Sequence, residues 1–203
     1  IGVYPEDDAD SLHVRSMDEA MQIPGTGAAA YHDVDAITQA AVAAEAALLH
    51  PGYGFLSENA DLAVACEQAG ITFVGPTVEQ LNIFGNKAGA RALAADLQVP
   101  LVPGTNNDTS LEEILDFWDQ HPDQGIVIKA VSGGGGRGMR IVENRDDIAK
   151  QYERCRSEAS LAFGHDAVYV EALIQAARHI EVQVIGDGTG HVVHLWERDC
   201  SAQ

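Results

Sequence analysis

Five of the chain's 20 glycines fall in one string, Ser132-Gly133-Gly134-Gly135-Gly136-Arg137-Gly138-Met139, and β-rich runs stand on both sides of it at 126–130 and 139–143. Glycines let backbone N–H groups approach an anion with no Cβ in the way, and they let a loop move. By spelling, Gly133, Gly135 and Gly138 satisfy G-x-G-x-x-G, but the dinucleotide fingerprint opens a helix, whereas Met139-Arg140-Ile141-Val142 reads as a strand. A Walker A loop is excluded because Met139-Arg140 follows Gly138 where Lys and then Ser or Thr belong. What is left is strand, glycine flap, strand, with Lys129 on the entering strand: a hairpin lid suited to phosphates. Protein kinases use a similar lid, but their lysine lies on a later strand and no His-Arg-Asp loop is present. The bland alternative is a solvent loop with no ligand.

Charge supports the phosphate reading. The chain carries 12 Lys and Arg against 31 Asp and Glu, a net charge of −19, which argues against a nucleic-acid or anionic-lipid surface. Between residues 129 and 156, however, seven bases (Lys129, Arg137, Arg140, Arg145, Lys150, Arg154, Arg156) meet four acids, a local net of 7 − 4 = +3. A positive island in an acidic protein suits a small polyanion. No apolar run reaches the roughly 18 to 20 residues that span a bilayer, and the acidic start IGVYPEDDAD is unlike a targeting segment. A cytoplasmic protein is expected. Cys66, Cys155 and Cys200 form no Cys-x-x-Cys pair, so reduced structural thiols are expected.

The first 85 residues alternate helix and strand signals, which predicts an α/β unit with a parallel sheet. An Ala-rich helix is expected over 35–49, a second capped by Ser57 and running to about Ala69, a strand over 71–74, and a third helix opened by the Thr77/Gln80 capping box. Two prolines in VPLVPG at 99–104 break the pattern, and a domain boundary is placed there. Beyond it, Ser110/Glu113 opens a helix to about Gln120, and a charged helix is expected over 144–161. Further strands are expected at 167–173, 178–185 and 191–198, the last two forming a hairpin. In that hairpin the strand period puts His179, Glu181 and Gln183 on one face and Ile180, Val182 and Val184 on the other. HPGYGFLSEN at 50–59 falls where a loop at the carboxyl edge of a sheet would lie, the ligand side of open α/β folds. Its bland reading is a turn with a helix cap.

Six strings in order, HPGYGFLSEN at 50–59, GNKAGAR at 85–91, VPLVPGT at 99–105, IKAVSGGGGRGMRIV at 128–142, ARHIEVQVIGDG at 177–188 and ERDCSAQ at 197–203, resemble biotin carboxylase, the ATP-grasp component of biotin-dependent carboxylases. The resemblance implies a Rossmann-like pre-ATP-grasp domain at 1–85, a linker helix at 86–100, an ATP-grasp glycine-flap lid at 101–173 and the first strands of the central ATP-grasp domain at 174–203. It implies ATP- and bicarbonate-dependent carboxylation of biotin through a carboxyphosphate-type intermediate, in an acyl-CoA or pyruvate carboxylase. Lys87 and Lys129 match lysines that contact ATP phosphates, and Gly135 and Gly136 match flap glycines that close over them. Met139 is placed with the nucleotide, Glu171, Ala172, Leu173 and Ile174 match the adenine hinge, His179 a ribose contact and Gln203 a further nucleotide-side residue. Tyr53 and Gly54 lie in the loop that resembles the biotin-facing edge. The family commonly has Glu-Lys where this chain has Glu171-Ala172.

Biotin is expected as a carrier-bound substrate, and Mg²⁺ as a cofactor whose ligands match positions beyond Gln203. The family's opening strand is expected before Ile1, and no catalytic or metal residue is assigned within the chain, so complete catalysis by these 203 residues is not expected. A biotin carboxyl carrier domain, a carboxyltransferase part and a homo-oligomer are the implied partners. The rivals are a carbamoyl-phosphate synthase-like ATP-grasp ligase, which HPGYGFLSEN argues against, and a non-catalytic nucleotide-binding module.

Overall fold

Proline at 100 and 103 interrupts the helical pattern, and in a computed structural model of the chain two units part at that point, Ile1–Val99 and Pro100–Gln203. The structure describes residues 1–105, 108–122, 124–131 and 138–202.

The first unit pairs short parallel strands and covers them with alanine-rich helices. In order it runs β1 (Gly2–Tyr4), α1 (Leu12–Ser16), β2 (Ala20–Gln22), α2 (Gly27–Ala30), α3 (Val34–Ala43), β3 (Leu48–Leu49), α4 (Ala60–Gln68), β4 (Thr72–Phe73), α5 (Val78–Gly85) and α6 (Lys87–Asp96). Strand β1 pairs with β2 and β3 with β4, both parallel, so the expected parallel sheet takes the form of two two-stranded pieces. Both β1 and β2 escape a reading by alternation because each is three residues long.

Two helix expectations are corrected. The helix expected over 35–49 ends at Ala43: Glu45 turns left-handed at φ 51° and the Ala46 N–H reaches back to the Ala41 carbonyl at 3.0 Å. Leu48 and Leu49 then pair as strand opposite Thr72 and Phe73, because a parallel partner satisfies their backbone where alanine propensity alone favours more helix. Ser57 does not cap the next helix. Its N–H donates to the Gly54 carbonyl, and Asn59 is the cap, its side chain accepting from the Leu62 N–H at 2.9 Å. Asn59→Ala should cost about 1 kcal/mol of stability by removing that acceptor, a loss readable as a lower urea midpoint, whereas Ser57→Ala should leave the midpoint in place. The Thr77/Gln80 box forms in both directions, at 3.2 and 2.9 Å. The core beneath these elements is Leu56, Leu62, Cys66 and Ile71, with Ile23, Ala36 and Ala40 in a neighbouring cluster.

The second unit is a sheet with helices on one side and a separate hairpin. It runs α7 (Leu111–Gln120), β5 (Ile126–Ala130), β6 (Met139–Val142), α8 (Ile148–Phe163), β7 (Val168–Ala172), β8 (Ile180–Gly186) and β9 (Val192–Asp199). The order is β6-β5-β7, all antiparallel, with β8 and β9 paired to each other. Residues 126, 128 and 130 alternate inward, and Ile126, Ile128, Val142, Val168 and Val170 close against Ile114, Trp118, Ile148, Tyr152 and Cys155 from the helices. Ser110 and Glu113 cap α7 reciprocally, and Gly164, left-handed at φ 75°, ends α8.

Residues 103–105 and 108–109 run along the free edge of β7. The Ala172 and Thr105 N–H groups donate to the Pro103 and Val170 carbonyls, each at 2.9 Å. The Val170 N–H returns to Thr105 Oγ1 at 3.0 Å, and the Val168 N–H to Asp108 Oδ1 at 3.1 Å. This strap requires glycine at 104, since a Cβ there would sit 2.6 Å from the Val170 carbonyl oxygen and 3.0 Å from Glu171 Cγ. Gly104→Ala should therefore destabilise the unit by about 1 to 3 kcal/mol, measured as a drop in Tm with the β7 amides losing hydrogen-exchange protection. No helix among the described residues is long and apolar enough to cross a membrane.

In β9 the pairing with β8 slips between Val182 and Val184, and Trp196 at φ 68° takes the extra position of a bulge. The alternation expected for β8 holds along that strand. Ile180, Val182 and Val184 are 43%, 55% and 57% exposed, however, so in this structure its apolar face is as open as its polar one.

Candidate nucleotide site

Because β6, β5 and β7 are antiparallel and in register, paired residues share a face. Lys129 stands opposite Met139 on one side and Tyr169 on the other, while Val127 stands opposite Ile141 and Glu171. Lys129, Met139, Tyr169 and Glu171 thus lie together on the face turned from α7 and α8, with the glycine string at 132–138 connecting β5 to β6. The buried aliphatic residues Ile126, Ile128 and Ala130 anchor the opposite face of the same strand. Hydrophobic burial on one side is what fixes a lysine on the other.

The Lys129 ammonium is hydrogen-bonded to the Glu171 carboxylate diagonally across β5 and β7, with the two side chains 27% and 14% exposed. A carboxylate this close holds the lysine Nζ over the sheet. Met139 and Ile141, 39% and 55% exposed, give the same face an apolar margin. Ala172 points the other way and is buried. Its N–H is fixed by Pro103, and the Leu173 N–H donates to the Gly125 carbonyl at 2.7 Å, so the hinge backbone is held from both sides. Ala172, Leu173 and Ile174 line a hollow of about 670 Å³ together with Leu101, Val102 and Pro103, an apolar wall suited to a flat ring.

The positive island is corrected in its extent. Arg140 is bound to Glu158, Arg145 to Asp119 through two contacts of 2.8 Å, and Arg156 to Asp166, so these three arginines tie helices to strands and loops. The ion pair with Asp166 is the chief cause that lifts the Arg156 guanidinium above its ordinary range and holds the Asp166 carboxyl below its own. Of Lys129, Arg140, Arg145 and Arg156, Lys129 is the one on the Met139 and Glu171 face. Arg137, Gly135 and Gly136 lie outside the described residues, as does Gln203, so the flap expectation rests on sequence.

The remaining candidates stand elsewhere. His179 precedes β8, exposed, with its Nε2 3.9 Å from Glu181 and its N–H donating to Ser201 Oγ at 2.9 Å. The neighbouring 197–200 string forms exposed ion pairs, Arg198 with Glu181 and Arg178 with Asp199. The Ser201 hydroxyl and then Arg178 push the Asp199 carboxyl down to about 2. Lys87 opens α6 in the first unit, where Asn86 Oδ1 already accepts from the Ala88 and Gly89 amides at 3.0 and 3.2 Å. Tyr53 is 91% exposed and Gly54 is left-handed at φ 74°, in the loop that leaves the carboxyl end of β3. A cavity of about 430 Å³ in the same unit is lined by Val3, Ile37, Leu48, Leu49 and His50, without Tyr53 or Gly54.

Sequence reasoning missed Val127, Ile141 and Tyr169 as neighbours of Lys129, although strand period combined with a hairpin register contains them. It also missed the strap formed by 103–105 and 108–109, which has no periodicity and whose trace in the sequence is Gly104-Thr105 following the second proline.

Comparison with known proteins fits this geometry. Residues 86–203 match the family model for the ATP binding domain of the carbamoyl-phosphate synthase L chain, and residues 1–81 match that for the biotin carboxylase N-terminal domain. Pyruvate carboxylase of Bacillus subtilis is 47% identical over 206 residues, taking in all of this chain and 18% of that protein. Human mitochondrial pyruvate carboxylase is 45% identical over 207 residues, again all of this chain and 17% of that one. Among solved structures, a Campylobacter jejuni biotin carboxylase in complex with β,γ-ATP is 42% identical with a TM-score of 0.91, over 98% of this chain and 45% of that chain. The biotin carboxylase domain of Hydrogenobacter thermophilus 2-oxoglutarate carboxylase, a dimer with MgADP, ADP and bicarbonate, is 38% identical with a TM-score of 0.91, over 99% of this chain and 44% of that chain. The chain thus spans under a fifth of the length of the curated relatives it matches.

Proposed function

This chain belongs to the biotin carboxylase family of ATP-grasp proteins, and from that premise we propose that it forms nucleotide-binding structure of a ligase that carboxylates carrier-bound biotin with bicarbonate. The observation that carries the reading is the placement of Lys129 on one sheet face with Met139 and Glu171, on the strand that leads in sequence into the glycine string. The lysine fits a phosphate: it is cationic, fixed by its strand, and partly withdrawn from water, where a charge-assisted bond to an anion gains strength. The apolar wall of Leu101, Val102, Leu173 and Ile174 fits an adenine ring. Bound ATP would supply the phosphoryl group that activates bicarbonate. The chain's own part is to neutralise phosphate charge through Lys129, with Lys87 as the second phosphate-side lysine, and to fix the hinge backbone through Pro103 and Gly125.

For the flap we assign Gly135 and Gly136 to cover the phosphates, with His179 on the ribose side, Gln203 on the nucleotide side and the Tyr53-Gly54 loop toward biotin. Among the described residues no group of three or more His, Cys, Asp or Glu is placed to hold a metal ion. The pyruvate carboxylases among the relatives favour pyruvate as final acceptor, with a carrier domain and a carboxyltransferase part as partners, and the dimeric neighbour favours a homo-oligomer. They also disfavour the carbamoyl-phosphate synthase alternative.

The test is ADP release by the complete polypeptide that carries this chain. The reading expects release that needs both bicarbonate and biotin. Release that ignores biotin and requires ammonia or glutamine instead would overturn it.

A further inference from the structure

The hinge role implied for residue 171 concerns the adenine, yet the Glu171 carboxylate does not extend along the hinge hollow. It is absent from the residues that line that hollow, whereas Ala172, Leu173 and Ile174 all line it. It is turned across the sheet onto the Lys129 ammonium. Register enforces the encounter: Glu171 pairs with Val127 and Lys129 with Tyr169, so the two side chains are diagonal neighbours on one face, within reach for long side chains. With 14% of the carboxylate side chain exposed and 27% of the lysine's, water screens the pair less than it would on an open surface.

We infer that Glu171 is a positioning residue acting through Lys129: its carboxylate holds the ammonium over the sheet and yields it to the phosphate groups of a nucleotide. The inference deepens the nucleotide reading above and rests on it. A singly charged anion exchanges one charge contact for another and must also desolvate, so it has little advantage over Glu171. A triphosphate brings several charges to the same ammonium and wins the exchange. The carboxylate thereby lowers affinity for phosphate ligands and leaves the nucleoside part untouched.

Calorimetric titration of the chain with ATP, inorganic tripolyphosphate and adenosine, at low ionic strength, tests this on the unsubstituted chain, Glu171→Gln, Lys129→Met and the double variant. Glu171→Gln should tighten tripolyphosphate and ATP by about fivefold, the scale of a partly screened ion pair. Adenosine affinity should stay within about twofold, and the Glu171→Gln effect should vanish in the Lys129→Met background. Should the Gln variant not fold, Glu171→Asp, which keeps the charge and shortens its reach, should shift the phosphate ligands in the same direction by less. Equal weakening of ATP and adenosine would assign the side chain to the base and overturn the inference. Unchanged phosphate affinity, or an effect that persists without Lys129, would overturn it as well. Binding of neither ATP nor adenosine to the unsubstituted chain would bring down the nucleotide reading itself, and this inference with it.

Discussion

Lys129→Gln weakens ATP binding by about tenfold or more on this account, because a charge-assisted bond to phosphate contributes roughly 1.5 to 3 kcal/mol. The ammonium that meets the phosphate is gone, and the Glu171 carboxylate loses the partner that it holds over the sheet. Glutamine keeps similar length and the strand's pairing, so the fold should persist, since β5 is held by Ile126 and Ile128 on its other face. The measurements are nucleotide affinity for the chain and biotin-dependent ADP release for the complete enzyme. A variant with unchanged affinity and turnover would remove Lys129 from the phosphate site.

The largest expected loss of stability comes from the other side of the same strand. Ile128 is fully buried between its partners Arg140 and Val170 and packs into the cluster with Ile114, Trp118 and Ile148. Ile128→Ala removes buried aliphatic volume from the middle of the central strand and leaves a cavity that a sheet closed by two helices cannot collapse. The expected cost is about 2 to 5 kcal/mol, read from urea unfolding followed by tryptophan fluorescence, for which Trp118 sits in the same cluster. A cost under about 1 kcal/mol would mean that the cluster is loosely packed and that β5 is not the rigid support proposed for Lys129.

What the sequence made legible follows from how local each signal is. Capping boxes at Thr77/Gln80 and Ser110/Glu113 formed as read, because three residues contain all their chemistry. The hairpin around the glycine string formed for the same reason: β-rich runs joined by a short connection pair with each other. Composition misled where a non-local partner decided the outcome, as at Leu48 and Leu49, whose strand exists through pairing with residues more than twenty positions away. The positive island was real as composition and misleading as a surface. Whether an arginine faces a ligand or a neighbouring acid depends on which element packs beside it, and Glu158, Asp119 and Asp166 were not visible as partners. Lys129 and Glu171 were singled out by resemblance, but their contact needed the register of β5 against β7 to appear.

Chemical-shift mapping of the isotope-labelled chain during titration with ATP tests the central claim most directly, since it reports binding and its place together. The account predicts a saturable response, competed by ADP, centred on the amides of Lys129, Met139, Tyr169 and Glu171 and extending to Leu173 and Ile174. A saturable response centred instead on Val3, Ile37 and Leu48 around the cavity of the first unit, or no response on the Lys129 face, would contradict it.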